Sequence, residues 1–351
     1  MVNKYEVVQK DNEYLFLRDI KSNSYCKVEH EYEGVLPSVS KLEYKPFFNY
    51  ILPDNKPDTV IFGIPFKKGS RFPTSSVNQF PNILRQTSHK LQHHNQYPEP
   101  IPLKLFHLNS GNEVDCGKLM DLGNVTENNR YSVHESIQEI IDFCMDNSYP
   151  FVSIGGDHSY TFDVVSSLEA FNKPLVIWVL DAHNDLYGSP DKLDHGNVFS
   201  YIAKLPFVEA IVQIGSRGFR TFEQVVNHPK VIQISRDSFN MKTFEQLSNR
   251  FKGFAYYLSV DLDSLDPYYF PFVDFGVPGG FTKAELFSII QTIFANGFII
   301  GADIVEGNGE GNVIKGNYDI PLELLILLLS NLKIQKEGRN EGGYKSKSVK
   351  L

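Results

Sequence analysis

Cysteine is scarce in this 351-residue chain. The three residues, Cys26, Cys116 and Cys144, lie far apart and form no CxxC pair. A disulfide scaffold or a thiolate zinc site is therefore not expected, and a reducing, cytoplasmic setting is the simpler inference. Basic charge is also short: 34 Lys and Arg stand against 42 Asp and Glu, a net charge of −8 with a sequence pI near 5.7. That balance argues against nucleic acid or an anionic membrane as partner. Long apolar runs are missing too. The opening MVNKYEVVQKDNEYLF has no signal-peptide core. The most apolar stretch, Ile320 to Leu332, is short and carries Glu323, so it reads as a buried helix and not a membrane span. No internal repeat or low-complexity tract is visible. What is left is an acidic globular chain, long enough to bury a large core in one large domain or two.

Three textures follow along the chain. Residues 1–57 alternate or cluster β-formers between Asn-rich breaks, which predicts short strands at Tyr5 to Val8, Tyr14 to Arg18 and Ser24 to Val28. Residues 58–335 alternate short apolar runs with amphipathic segments. Strands are expected at Thr59 to Ile64, Phe151 to Ile154, Leu175 to Leu180, Val208 to Ile214, Val231 to Ile234, Phe254 to Val260 and Phe298 to Ile304. Helices are expected at Asn82 to His93, Val133 to Met145, Tyr160 to Phe171, Val198 to Lys204, Thr221 to Asn227, Lys242 to Phe251, Lys283 to Ala295 and Leu322 to Leu332. Lys67 to Pro81 reads as a loop and Gly111 to Thr126 as an irregular polar stretch. This alternation predicts an α/β fold, a mostly parallel sheet covered by helices on both faces. Residues 336–351, rich in Lys, Gly, Glu and Ser, are expected to form a disordered tail.

Ligands of open parallel sheets bind beyond the carboxyl ends of the strands, and four ends here carry chemistry. One strand runs into GGDHS with His158, the next into DAHND with Asp181, His183 and Asp185, a third into DLDSLDP with Asp261 and Asp263, and a fourth into Glu306. In extended backbone residues i and i+2 point the same way, so Asp181, His183 and Asp185 can converge, as can Asp261 and Asp263. Four carboxylates so gathered need cations to stay ionised. Two divalent ions balance them, and oxygen-rich ligation with two imidazoles suits Mn²⁺, with Ni²⁺ and Co²⁺ also open. Each motif alone has a plainer explanation: Asp157-His158-Ser159 as a helix cap, Asp266-Pro267 as a turn, His195 as a helix-start residue.

GGDHS, DAHND and SVDLDSLDP together resemble the three signatures of the ureohydrolase family, which includes arginase, agmatinase and formimidoylglutamase. GIPF near Ile64 and DIVEGN near Glu306 extend the likeness over roughly 59–332. The resemblance implies a three-layer α/β/α sandwich and two Mn²⁺ per chain. His158, Asp181, Asp185 and Asp261 would hold one ion; Asp181, His183, Asp261 and Asp263 would hold the other. It further implies that the ion pair acidifies a water for attack on a guanidinium or amidinium carbon. Asp185 would take the proton, Glu306 would pair with the cationic head, and His195 would carry protons to the leaving amine. Homo-oligomeric assembly is expected.

The departures bear on substrate. DLYGSPDKLDH is shorter than the loop with which arginases hold an amino acid, and HGNVF is closer to the agmatinase pattern, so an agmatinase-like hydrolase releasing urea and an amine is expected. Phe275 stands where the family has a small hydroxyl residue and Asp274 adds a charge, which reads either as loop drift or as a pocket wall reshaped for an organic cation. Tyr187 would line the entrance or simply cover core. Arg217, in GSRG, reads as structural or substrate-binding. The alternatives are an arginase- or formimidoylglutamase-type hydrolase, a guanidino group on a peptide or natural product, a related metal-dependent deacetylase, and a non-catalytic binding protein that keeps the fold.

Overall fold

The computed structural model describes residues 5–11, 14–19, 25–27, 46–49, 56–91, 103–127, 132–187, 192–219, 227–309 and 318–340. Strands β1 (Tyr5–Asp11), β2 (Tyr14–Asp19) and β3 (Tyr25–Lys27) form a small antiparallel sheet. Next come β4 (Thr59–Gly63), α1 (Phe80–Ser88), a hairpin of β5 (Leu103–His107) and β6 (Asn112–Gly117), and β7 (Leu119–Asn124). Strands and helices then alternate: α2 (Val133–Asp146), β8 (Phe151–Ile154), α3 (Tyr160–Ser166), β9 (Leu175–Leu180), α4 (Val198–Ile202) and β10 (Val208–Ser216). The remainder is β11 (Val231–Ser235), α5 (Met241–Arg250), β12 (Ala255–Asp261), α6 (Lys283–Asn296), β13 (Phe298–Val305) and α7 (Asp319–Asn340).

The main sheet has eight strands in the order β11-β10-β9-β12-β13-β8-β4-β7, every neighbouring pair parallel. Every residue of β4, β8, β9 and β12 is buried, which is why their sequences are mostly apolar and do not alternate. Two files of helices flank the sheet, α2–α3–α4 and α5–α6–α7–α1, giving three α/β/α layers. α2 and α6 each begin with a capping box, Ser132 with Glu135 and Thr282 with Glu285, closing the exposed N–H groups of their first turns. The Leu-rich stretch of α7 is buried in the core. Among the described residues no helix is long and apolar enough to cross a membrane.

Three expectations need correction. The stretch 111–126 is not irregular, since it holds β6 and β7, and β7 closes one edge of the main sheet. Its polar Asp121 is accommodated by the fully buried Arg85 guanidinium, which donates to both carboxylate oxygens at 2.8 and 3.1 Å. Strand β5 was not foreseen. α7 runs through to Asn340, past the boundary drawn at 336 from composition. The helix expected at Thr221 to Asn227 falls almost wholly outside the described residues.

The order of the strands positions the site. β9, β12, β13 and β8 are adjacent in space although β10, β11 and four helices separate them along the chain. The chain steps outward from β9 to β11, then returns to insert β12 and β13 beside β8. This reversal is where open α/β sheets place their ligand crevice.

Candidate metal centre and cleft

His158, Asp181, Asp185, Asp261, Asp263 and Glu306 meet over the carboxyl ends of those four strands, all of them buried. His158 Nδ1 faces Asp181 Oδ2, Asp185 Oδ2 and Asp261 Oδ2 at 3.3, 3.2 and 3.3 Å. His183 Nδ1 lies 2.7 Å from Asp263 Oδ2 and 3.7 Å from Asp181 Oδ1. Two donor groups result, His158–Asp181–Asp185 and Asp181–His183–Asp263, sharing Asp181. The convergence is not the simple strand alternation expected from spacing. Asp185 bends back through left-handed backbone, φ 44°, and Asp263 lies in a short 3-10 turn whose N–H donates to Asp261 Oδ1 at 2.8 Å. Glu306 also has positive φ, 62°. Non-glycine residues held there concentrate at functional sites.

The electrostatics point to missing positive charge. Burial, then the charges of Asp185 and Asp263, push the Asp181 carboxyl up to about 8. Burial with Asp263 and Asp181 pushes Asp261 well above the carboxylate range. Burial opposes the charged form of His183, but Asp263 outweighs it and raises the imidazole to about 9. Asp263 answers in the other direction: burial works against its charge, yet His183 holds it below the usual value. Asp181 Oδ2 and His158 Nδ1 are both buried without a hydrogen-bond partner. Orphaned buried acceptors are costly, and a cation between them removes the cost. Separations of 3.2–3.3 Å are close to those of two ligands each about 2.1–2.3 Å from one hard cation at near-right angles. The donor set therefore fits divalent metal.

Above these groups lies a cleft of about 640 Å³, lined among others by Arg71, Tyr187, His195, Phe219, Asp274 and Phe275. Glu306 Oε1 accepts the His158 N–H at 2.7 Å and lies 3.3 Å from His195 Nδ1. Burial disfavours the His195 imidazolium, but Glu306 more than compensates and raises its pKa. Phe275 stands between the two cleft histidines, 5.9 Å from His183 and 6.5 Å from His195, with its edge against Phe72 at 4.2 Å. Asn308 donates to Asp274 and accepts from the Ser76 N–H and hydroxyl at 2.8 and 2.9 Å, so it ties three cleft loops together. The Tyr187 N–H bonds to Gly196 O at 3.1 Å, beside His195.

Some residues do other work. Arg217 does not face substrate space: its guanidinium donates to the carbonyls of Gly215, Asp263, Leu265 and Val277, bracing the loop after β12. Asp266 accepts the Tyr268, Gly279 and Gly280 N–H groups, as its turn reading implied. The helix-cap reading of Asp157-His158-Ser159 does not hold, since Ser159 is the N-cap of α3 and makes no side-chain cap bond; Asp157 accepts from the Ser159, Gly69 and Ser70 N–H groups, docking the loop that carries Arg71 and Phe72. Gly156 permits that docking, since a Cβ there would sit 1.7 Å from Phe66 O. Sequence reasoning missed Arg71, Phe72, Ser259 and Asp303; only Asp303, a charge inside an apolar strand, left a signal.

The main sheet is fully parallel, and the carboxylates and imidazoles clustered at its switch point form groups that could hold metal ions. The chain belongs to the arginase family, whose model matches residues 57–312. It is 31% identical over 266 residues to an uncharacterized 32.2 kDa protein of Methanothermus fervidus, covering 72% of this chain and 84% of that one. It is 26% identical over 289 residues to agmatinase of Chromobacterium violaceum, covering 80% and 83%. Against arginase 1 of Arabidopsis thaliana identity is 30%, over 46% of this chain and about half, 49%, of the plant enzyme. A hypothetical agmatinase from Burkholderia thailandensis shares the fold with a TM-score of 0.68 at 22% identity, covering 88% of this chain and 98% of the other. The family's arginase and agmatinase members are hydrolases acting on C–N bonds of amidino compounds.

Proposed function

We propose that residues 58–335 form a binuclear manganese hydrolase that cleaves a C–N bond of a linear guanidino or amidino cation, agmatinase-like, releasing urea and an amine. The observation that carries this reading is the donor set. Two buried, unpartnered acceptors, His158 Nδ1 and Asp181 Oδ2, sit among Asp185, Asp261, Asp263 and His183 at the floor of an open cleft. His158, Asp181, Asp185 and Asp261 would hold one ion, and Asp181, His183, Asp261 and Asp263 the other. When bound, the pair supplies Lewis acidity and a nucleophilic water at neutral pH.

The chain's own residues do the rest. Glu306 pairs with the cationic head and holds the reacting carbon over the floor. Asp185 accepts the proton of the attacking water. His195, whose imidazolium Glu306 stabilises, donates to the departing amine. Phe275 gives the cation an aromatic wall, with Tyr187 and Asp274 on the rim. The described cleft walls favour a substrate without a carboxylate: among the described lining residues the single Lys or Arg is Arg71, engaged by both oxygens of Asp194. That supports an agmatine-type substrate over arginine or a formimidoyl acid. Buried free Cys116 and Cys144 support a reducing, cytoplasmic setting; homo-oligomeric assembly rests on the resemblance alone.

The test combines metal analysis with a screen of agmatine, arginine, short guanidino acids, guanidine and arginyl peptides for urea and formamide. Two divalent ions per chain and urea from an uncharged-tail or amine-tail guanidine are expected. A chain that takes up no divalent metal under any loading condition overturns the reading.

A further inference from the structure

We propose that Ser259 and Asp303 are positioning residues that dedicate the His158 imidazole to one of the two cation sites and set the affinity of that site alone. The inference rests on the metal-centre reading above and goes beyond its ligands. Ser259 on β12 and Asp303 on β13 are direct partners in the parallel register. Asp303 Oδ1 accepts the Ser259 hydroxyl at 2.6 Å, and its Oδ2 accepts the hydroxyls of Tyr257 at 2.7 Å and Thr161 at 2.8 Å. Ser259 Oγ in turn lies 2.9 Å from His158 Nε2.

A hydroxyl has one proton. With the Ser259 proton committed to Asp303, its oxygen can only accept, so the bond to His158 requires the proton on Nε2. Nδ1 is then the ring nitrogen left to ligate, and it faces Asp181 Oδ2, Asp185 Oδ2 and Asp261 Oδ2 at 3.2–3.3 Å. Those four atoms converge as ligands of one cation do. The relay thus selects the ligating nitrogen and holds the ring plane, a task that outer partners of metal-bound histidines perform. It is one-sided. The chain of bonds ends on His158, whereas His183 draws on Asp263. Asp303, Ser259 and Tyr257 are all buried. An apolar trio would fill their volume without the desolvation that a buried carboxylate entails.

The full-length protein tests this by equilibrium dialysis against Mn²⁺, with ions counted per chain, beside the melting temperature of the metal-free form. Wild type should hold two ions. Ser259→Ala should keep one at wild-type affinity and weaken the other about 10- to 100-fold, with the metal-free melting temperature lowered by only about 1–4 °C as His158 Nε2 and Asp303 Oδ1 lose a partner. Ser259→Thr, which retains the hydroxyl, should bind like wild type. Asp303→Asn, whose amide cannot accept from all three hydroxyls at once, should weaken the same single site. Two ions bound with wild-type affinity by both Ser259→Ala and Asp303→Asn would overturn the proposal. So would an equal loss of affinity at both sites, which marks a structural role. Absence of metal from wild type would instead overturn the functional reading itself.

Discussion

Glu306→Gln isolates one charge at the centre of the cleft. Glu306 stands in left-handed backbone, φ 62°, and glutamine carries the same strain of about 1–3 kcal/mol there, so backbone cost cancels in the comparison. The amide oxygen can still accept the His158 N–H now held at 2.7 Å, and none of the six proposed ligands changes, so manganese content should stay at the wild-type level. What goes is the anionic partner of the substrate cation and of His195. A hydrogen bond to a charged group contributes about 1.5–3 kcal/mol, which at 1.36 kcal/mol per decade predicts a fall in kcat/KM of about 10- to 160-fold. Steady-state urea release reads that loss, and NMR titration of His195 reads its cause. In wild type burial opposes the imidazolium, yet the Glu306 bond and charge raise the His195 pKa above 6.5. The His195–Glu306 attraction is therefore fully present below 6.5 and is lost as pH rises through the raised value. In Glu306→Gln that value falls back, and the high-pH limb of activity moves to lower pH. An unaltered kcat/KM would refute the substrate-pairing role, and loss of manganese together with turnover would recast Glu306 as a structural residue.

Chelation should destabilise the chain. At a free Mn²⁺ about 1,000 times the dissociation constant each filled site adds about 4 kcal/mol, and with an unfolding entropy of about 0.7 kcal/mol/K for this length its removal costs about 6 °C; calorimetry with and without chelator checks this, and an unmoved transition argues against bound metal. Phe275→Ala removes the proposed aromatic wall; a cation–π contact of about 0.5–2 kcal/mol predicts a KM raised about 2- to 30-fold with kcat little changed, and an unchanged KM removes Phe275 from the substrate wall. Arg85→Ala leaves the Asp121 carboxylate buried and uncompensated, at a cost of about 3–5 kcal/mol or about 4–7 °C in melting temperature. Restoration of stability in Arg85→Ala/Asp121→Ala, measured in a double-mutant cycle, would confirm the cause.

The strands that carry the site were legible because burial on both faces leaves a local mark: LVIWVL and the run ending SVD read as parallel strands before any coordinates. Their ends were legible as well, since His158, Asp181, His183, Asp185, Asp261, Asp263 and Glu306 each follow such a run directly. Other features were hidden. β7 carries Asp121 and Gly123 among its six residues and looks irregular until Arg85, 36 positions away, is brought against it. Arg71 and Phe72 lie in a loop without periodicity, and reach the cleft through bonds to Asp157 and Asp194. The bend at Asp185 and the relay from Asp303 to His158 depend on which strands lie side by side. Hydrophobic pattern and motif order are properties of neighbouring residues and are written along the chain. Hydrogen-bond partners, proton placement and the meeting of loops are distances through space, and they exist only once β12 and β13 have slipped between β9 and β8.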